Sequence, residues 1–307
     1  KDPAEIVAAN ATATLSGWWK SHIAGDPNGD GSTDEFTIER WTTGRGPDNK
    51  YYITQWDDSS GNDNHLLDLG VSTGPQVYGS DADNEGSSSD EVNGYCAADF
   101  KGGIDGSLNL FLRTDPDTDE DFVVGDANAH LNFICVVRHN IATNQSGASA
   151  GDWGFIAAAD IENTLANWAF GTIIPSVVGT IEVYTQLSMH TSEDYSTGTT
   201  ILAEDQWYIL GFFSDSEDGN NDPLIGMLTP DDGAAALQDV GTAVASPAGT
   251  GQTGVDALYV GRRNAALSTP DTFNGRMAEM AIIKSTDPLS RTERIQLVQY
   301  YKNKFAL

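Results

Sequence analysis

Short apolar-rich stretches recur through most of this chain, with apolar and polar positions alternating around Leu108 to Leu112, and the stretches are parted by clusters of Gly, Asn and Asp. Tyr51 to Trp56, Leu66 to Leu69, Leu108 to Leu112, Leu131 to Arg138, Asp152 to Ala159, Thr180 to Thr185, Gln206 to Phe213 and Leu224 to Leu228 each read as a strand. Tyr259 to Arg262 is a further short strand, and Phe273-Asn274-Gly275-Arg276 is a turn into the apolar run Met277 to Ile283. Many short strands parted by turn residues predict an all-β sandwich. The period changes only near the end. Asp287-Pro288-Leu289-Ser290 stops a strand and starts a helix over 290–304, with Ser290 as N-cap and Glu293 three residues later. Ile295, Leu297, Val298, Tyr301 and Phe305 then recur at three- and four-residue spacing, so one face packs down. Residues 161–169 read either as a short helix or as a loop carrying Trp168, and residues 1–14 as an arm or a short helix. No repeat with a period of about 20–50 residues is present, which argues against a solenoid or propeller.

Charge changes the picture most. The 45 acidic side chains against 16 basic ones give a net charge of −29. Such a chain repels phosphate backbones and anionic lipid surfaces, so neither nucleic acid nor membrane is an expected partner. Self-repulsion of this size is tolerated where salt or divalent cations screen it, which fits a marine, saline or calcium-bearing exterior; a plain soluble acidic surface is the other reading. No apolar stretch of about 18 residues is present to span a membrane. A start at Lys1 without Met or an apolar signal core reads as a processed product or a fragment. Cys96 and Cys135 are too few for a disulfide scaffold or a four-Cys zinc site, and two free thiols are expected rather than a bridge.

Two segments carry a family resemblance. Near the end stand Gly275, Met277, Ala278 and Glu279, then Leu289, Ser290, Glu293 and Arg294, then Tyr301 and Phe305. Near the start, Leu15-Ser16-Gly17-Trp18-Trp19-Lys20 precedes Trp56-Asp57-Asp58-Ser59-Ser60-Gly61-Asn62-Asp63-Asn64-His65-Leu66, which has the form W-x-D-x-S-G-N-x-N-H. Short polar side chains dominate that turn because they bond their own backbone and tolerate left-handed angles. Together these segments resemble concanavalin A-like, laminin-G-like jelly rolls of phage or bacterial surfaces. The resemblance implies a single jelly-roll sandwich of two antiparallel sheets with a C-terminal helix over 15–307, preceded by the arm 1–14, its first and last strands paired. It also implies a non-catalytic virion or surface structural protein, such as a capsid decoration or fibre head. Self-association or capsid and shell proteins are then the partners, and adhesion to host-surface glycans can coexist. A secreted carbohydrate-binding lectin module and a glycan-degrading hydrolase are the alternatives. The location would be the virion or the extracellular space.

Candidate chemistry is sparse. Asp26, Asn28, Asp30, Ser32 and Asp34 place oxygen at alternate positions around Gly31, the spacing by which a tight loop wraps calcium. Position 12 is Thr37 instead of a bidentate Glu, and an acidic turn bonding its own backbone is the competing reading. The acidic runs 115–121 and 215–222 lack a ligand pattern and read as solvated hairpin tips. Glycoside hydrolases on this fold carry E-x-D-x-x-E, placing two carboxylates about 5 Å apart. No such triplet occurs, so the chain is expected not to be an enzyme. There is no G-x-S-x-G elbow, and His22, His65, His130, His139 and His190 form no metal motif. His65 is expected to be a hydrogen-bonding structural residue. Trp41, Trp153, Trp168 and Tyr195 are expected in or near loops, either as sugar platforms or as core anchors.

Overall fold

The computed structural model describes residues 1–21, 41–45, 51–68, 74–78, 92–101, 111–115, 122, 130–139, 153–160, 168–173, 184–189, 195–197, 202–203, 206–214, 223–228, 238–239, 257–262 and 273–307. Two antiparallel sheets form an all-β sandwich, with one helix at each end of the chain. The first sheet centres on β8 (His130–His139) and β17 (Asn274–Ser285), with β13 (Trp207–Ser214) and β14 (Pro223–Leu228) beside β8. Along the other edge of β17, β1 (Ala13–Trp19) pairs with one half and β6 (Ala97–Lys101) with the other. The chain's first and last strands therefore lie side by side, as expected. The second sheet runs from β11 (Tyr184–Met189) through β10 (Trp168–Ile173), β9 (Trp153–Asp160), β16 (Ala257–Val260) and β7 (Leu112–Arg113) to β4 (Leu66–Leu67). β3 (Tyr51–Trp56) joins the layers, pairing with β4 and with β5 (Gln76–Tyr78), which in turn pairs with β6. β2 (Trp41–Arg45) completes a hairpin with β3, and β12 (Tyr195–Thr197) flanks β11.

Strand alternation builds two cores. Phe133, Cys135 and Val137 of β8 point inward against Phe170, Ile156 and Leu258 of the other sheet. Ile134 and Val136 point outward, where α1 (Pro3–Ala9) and α2 (Arg291–Phe305) cover them with Ile6, Leu297, Val298, Tyr301 and Phe305. Both helices open on a capping box, Asp2 with Glu5 and Ser290 with Glu293. The N-terminal segment thus takes the helical form and docks on its own sandwich through Ile6. Three sequence readings shift. β17 begins at Asn274, so the expected turn 273–276 is already strand; its close approach to β8 needs Gly275, where a Cβ would lie 2.5 Å from the Arg138 carbonyl oxygen. Trp168 is a core residue of β10, held by its indole N–H to the Phe122 carbonyl, and not a loop platform. At the predicted strand 108–112, whose described residues are 111–112, the strand found is β7, Leu112–Arg113.

The two segments that carried the resemblance form one structural knot. Asp58 accepts from the backbone N–H of Trp18, Ser60 and Asn64, while Asn62 and Asn64 donate to the carbonyls of Leu15 and Ser16. Trp19 donates back to the Asn64 carbonyl and Trp56 to the Lys20 carbonyl. Glu279, fully buried, accepts from Trp18 Nε1, from the backbone N–H and hydroxyl of Ser21, and from Tyr300, and it pairs with Lys304 of α2. These motif residues hold β1 and the last helix to the sandwich. Cys96 and Cys135 are both buried and form no disulfide.

Candidate functional site

The outward face of the second sheet carries a row of polar side chains that solvent reaches. Register puts Gln55 of β3 opposite Leu67 of β4, Leu67 opposite Arg113 of β7, and Arg113 opposite Tyr259 of β16. Residues opposite one another in antiparallel strands share a face. Their chain neighbours Trp56, Leu66, Leu112 and Leu258 all point into the core, which sets this row outward. Asp57 and His65 follow the same alternation at the ends of β3 and β4. Gln55, Asp57, His65, Leu67 and Arg113 are half-buried, Tyr259 fully so. Beyond Tyr259 the row continues into Ala158 and Ala169, both buried, so the accessible stretch is the part from Gln55 to Arg113.

Each group in the row is oriented by a neighbour. Gln55 Nε2 donates to Asp57 Oδ1 at 2.6 Å. His65 Nδ1 accepts from the Asp58 backbone N–H at 3.1 Å, which leaves the other ring nitrogen, Nε2, as the protonated one in the neutral imidazole. The side chains of Asp57 and His65, 3.4 Å apart, remain 30% and 34% exposed. Arg113 donates to the Tyr259 hydroxyl at 3.3 Å and lies over the Tyr259 ring at 6.0 Å. Tyr259 in turn packs against Phe111, over which Arg262 sits at 5.5 Å. The result is a rigid strip that presents an acceptor (Asp57), an imidazole donor (His65) and a guanidinium fork (Arg113) along one sheet face. A guanidinium fork of this kind can pair bidentately with a carboxylate or phosphate, and the carboxylate and imidazole supply an acceptor and a donor beside it.

Sequence reading reached part of this strip. Asp57 and His65 stand in the quoted turn, and His65 does serve a structural bond, as expected, while also facing solvent. Gln55, Arg113 and Tyr259 carried no motif. The one available signal was Arg113 alternating with the apolar Leu112 in a short strand. The calcium ligand set Asp26, Asn28, Asp30, Ser32 and Asp34 lies outside the described residues, as do His22 and His190. No group of three or more metal-ligating side chains occurs among the described residues. Trp41, Trp153 and Tyr195, expected in or near loops, lie on strands β2, β9 and β12.

No family model and no curated protein matches the chain. Solved structures do. A GH54 a-l-arabinofuranosidase soaked with a cyclic sulfate inhibitor shares 13% identity over 99% of this chain and 66% of its own, with a TM-score of 0.56. An arabinofuranosidase complexed with arabinofuranosyl-alpha-1,2-xylobiose shares 14% identity over 99% of this chain and 65% of its own, with a TM-score of 0.50. Domain 4 of a GH43 extracellular arabinanase from Geobacillus stearothermophilus, in complex with arabinotriose, matches at 15% identity over 94% of this chain and 100% of its own, with a TM-score of 0.42. The chain thus spans just under two thirds of the arabinofuranosidases it matches. At these identities the likeness shows the sandwich fold, shared with carbohydrate-active proteins, and no lectin family.

One expectation is corrected here. The chain was expected not to be an enzyme, yet its fold is one that arabinofuranosidases also have, so the missing motif is no ground for excluding hydrolysis. The physical reason is that a missing E-x-D-x-x-E tests only carboxylates carried by one strand. Carboxylates from separate strands can meet on one sheet face through cross-strand register, and no linear motif records that.

Proposed function

We propose that this chain is a carbohydrate-recognising β-sandwich whose ligand lies along the Gln55, Asp57, His65 and Arg113 strip. The strip itself carries the reading. It offers oriented donors and acceptors on a rigid sheet, and sugar hydroxyls are matched by planar carboxylate, amide and guanidinium groups held in fixed geometry. The shared fold with proteins named for arabinose-containing glycans supports it and directs the first ligands to try. The finer setting, a virion or cell-surface structural protein that displays this face to glycans, is part of the same proposal. The −29 charge supports an exterior place, since it disfavours contact with nucleic acid and anionic lipid.

The test is a glycan array that includes arabino- and xylo-oligosaccharides, followed by titration calorimetry with product analysis of every bound glycan. Asp57→Asn and Gln55→Ala should each weaken binding about tenfold, or about 1.4 kcal/mol, with the melting temperature unchanged. Release of shortened glycan that disappears in Asp57→Asn would assign catalysis to the same strip. Failure of every glycan to bind at millimolar concentration would overturn the reading.

A further inference from the structure

Arg113 is an unusual cation in this chain. Acidic side chains outnumber basic ones 45 to 16, so a guanidinium meets a carboxylate more readily than in an ordinary protein. Among the described residues, however, Arg113 has no ion-pair partner. Its one side-chain hydrogen bond goes to the Tyr259 hydroxyl, and its Cζ lies 6.0 Å from the centre of the Tyr259 ring. Tyr259 is fully buried and backed by Phe111, so the guanidinium is fixed by apolar packing and not by charge. A phenol hydrogen bond occupies one of its five donors and leaves the rest of the fork for a ligand. Half-burial matters as well, because a partly desolvated guanidinium gains more from an anion than one free in water.

We infer that Arg113 recognises a negatively charged group, a carboxylate or a sulfate ester, on the glycan that occupies the strip. This rests on the proposed glycan site and specifies its ligand class. Asp57 and His65, farther along the row, then take uncharged hydroxyls. The overall charge of −29 opposes the approach of any polyanion, with a screening length of about 8 Å at 0.15 M ionic strength. Affinity for an acidic glycan must therefore come from a local contact, and removing that contact should abolish it.

The experiment is calorimetric titration of the whole chain at 0.15 M ionic strength with three oligosaccharide sets of equal length: uronate-containing, sulfated and neutral. Native protein should bind the uronate or the sulfated set at least about tenfold tighter than the neutral one, and which of the two wins identifies the anion. Arg113→Met should erase that preference, bringing the charged and neutral sets to equal affinity, with the far-ultraviolet spectrum unchanged. Arg113→Lys, which keeps the charge but loses the fork, should retain only part of the preference. Equal affinity for charged and neutral sets would overturn this inference and leave glycan recognition standing. A charge preference that survives Arg113→Met would also overturn it. Absence of binding in all three sets would remove both readings together.

Discussion

His139 shows how strongly a single position here answers to its surroundings. It sits at the inward end of β8, buried, with Nε2 3.2 Å from Thr172 Oγ1, its ring against Phe273, and Nδ1 without a hydrogen-bond partner. Burial pushes its imidazole down to about 3 from an ordinary value of 6.5, so the folded state holds it neutral. Below pH 6.5 the unfolded chain takes up a proton that the folded chain refuses. This part of the stability is therefore whole above pH 6.5 and is lost as the pH falls towards 3. Between pH 7 and pH 4.5 native protein should lose about 2–3 kcal/mol more than His139→Gln, read by urea unfolding at both pH values. Parallel losses in the two proteins would show that His139 is not the group responsible. Tyr300 responds in the opposite sense for an acid: burial, reinforced by the nearby Glu279, raises its phenol far above the ordinary range.

At the scale of elements, the last helix is held by charge as well as by packing. Leu297, Val298, Tyr301 and Phe305 supply the apolar face that the three- and four-residue spacing predicted. Lys304 adds an ion pair to the buried Glu279 and lies over the Tyr95, Tyr300 and Phe305 rings. Breaking one side of a buried pair leaves the other charge uncompensated, which costs roughly 3–5 kcal/mol. Lys304→Met should destabilise the chain by about that amount, and the double variant Glu279→Gln/Lys304→Met should recover part of it. Guanidinium unfolding of the three proteins decides this. If Lys304→Met unfolds at the native midpoint, Trp18, Ser21 and Tyr300 suffice to hold the carboxylate.

For the whole molecule the decisive quantity is charge. At low ionic strength the −29 surface repels itself across a screening length of about 30 Å at 0.01 M, falling to about 8 Å at 0.15 M. Melting temperature should rise over that interval. Copies of the chain should associate only at the higher value if it builds a shell or decorates one, which light scattering at both ionic strengths would reveal. Monomers throughout would oppose the display setting and favour a free carbohydrate-binding protein. The N-terminal helix bears on this, because Ile6 is already spent against the chain's own core and is not available to a neighbour.

How far such a molecule can be read from its residues depends on how local each interaction is. The apolar-rich strands Leu131 to Arg138 and Gln206 to Phe213, the Ser290 and Glu293 cap, and the spaced apolar face of the last helix are all set within a few residues, and the sequence by itself determined them. The Asp58 turn was legible as a turn for the same reason. What it ties together was not: Leu15, Ser16 and Trp18, the partners of Asn62, Asn64 and Asp58, lie forty or more positions away in the chain. Glu279 stood out as part of a motif, but its burial under Trp18, Ser21 and Lys304 follows only from the pairing of the first and last strands. The candidate strip is the clearest case. Gln55, Arg113 and Tyr259 come from three strands, and nothing in their spacing joins them. Cross-strand register alone decides which face they share, and register is a property of the assembled sheet.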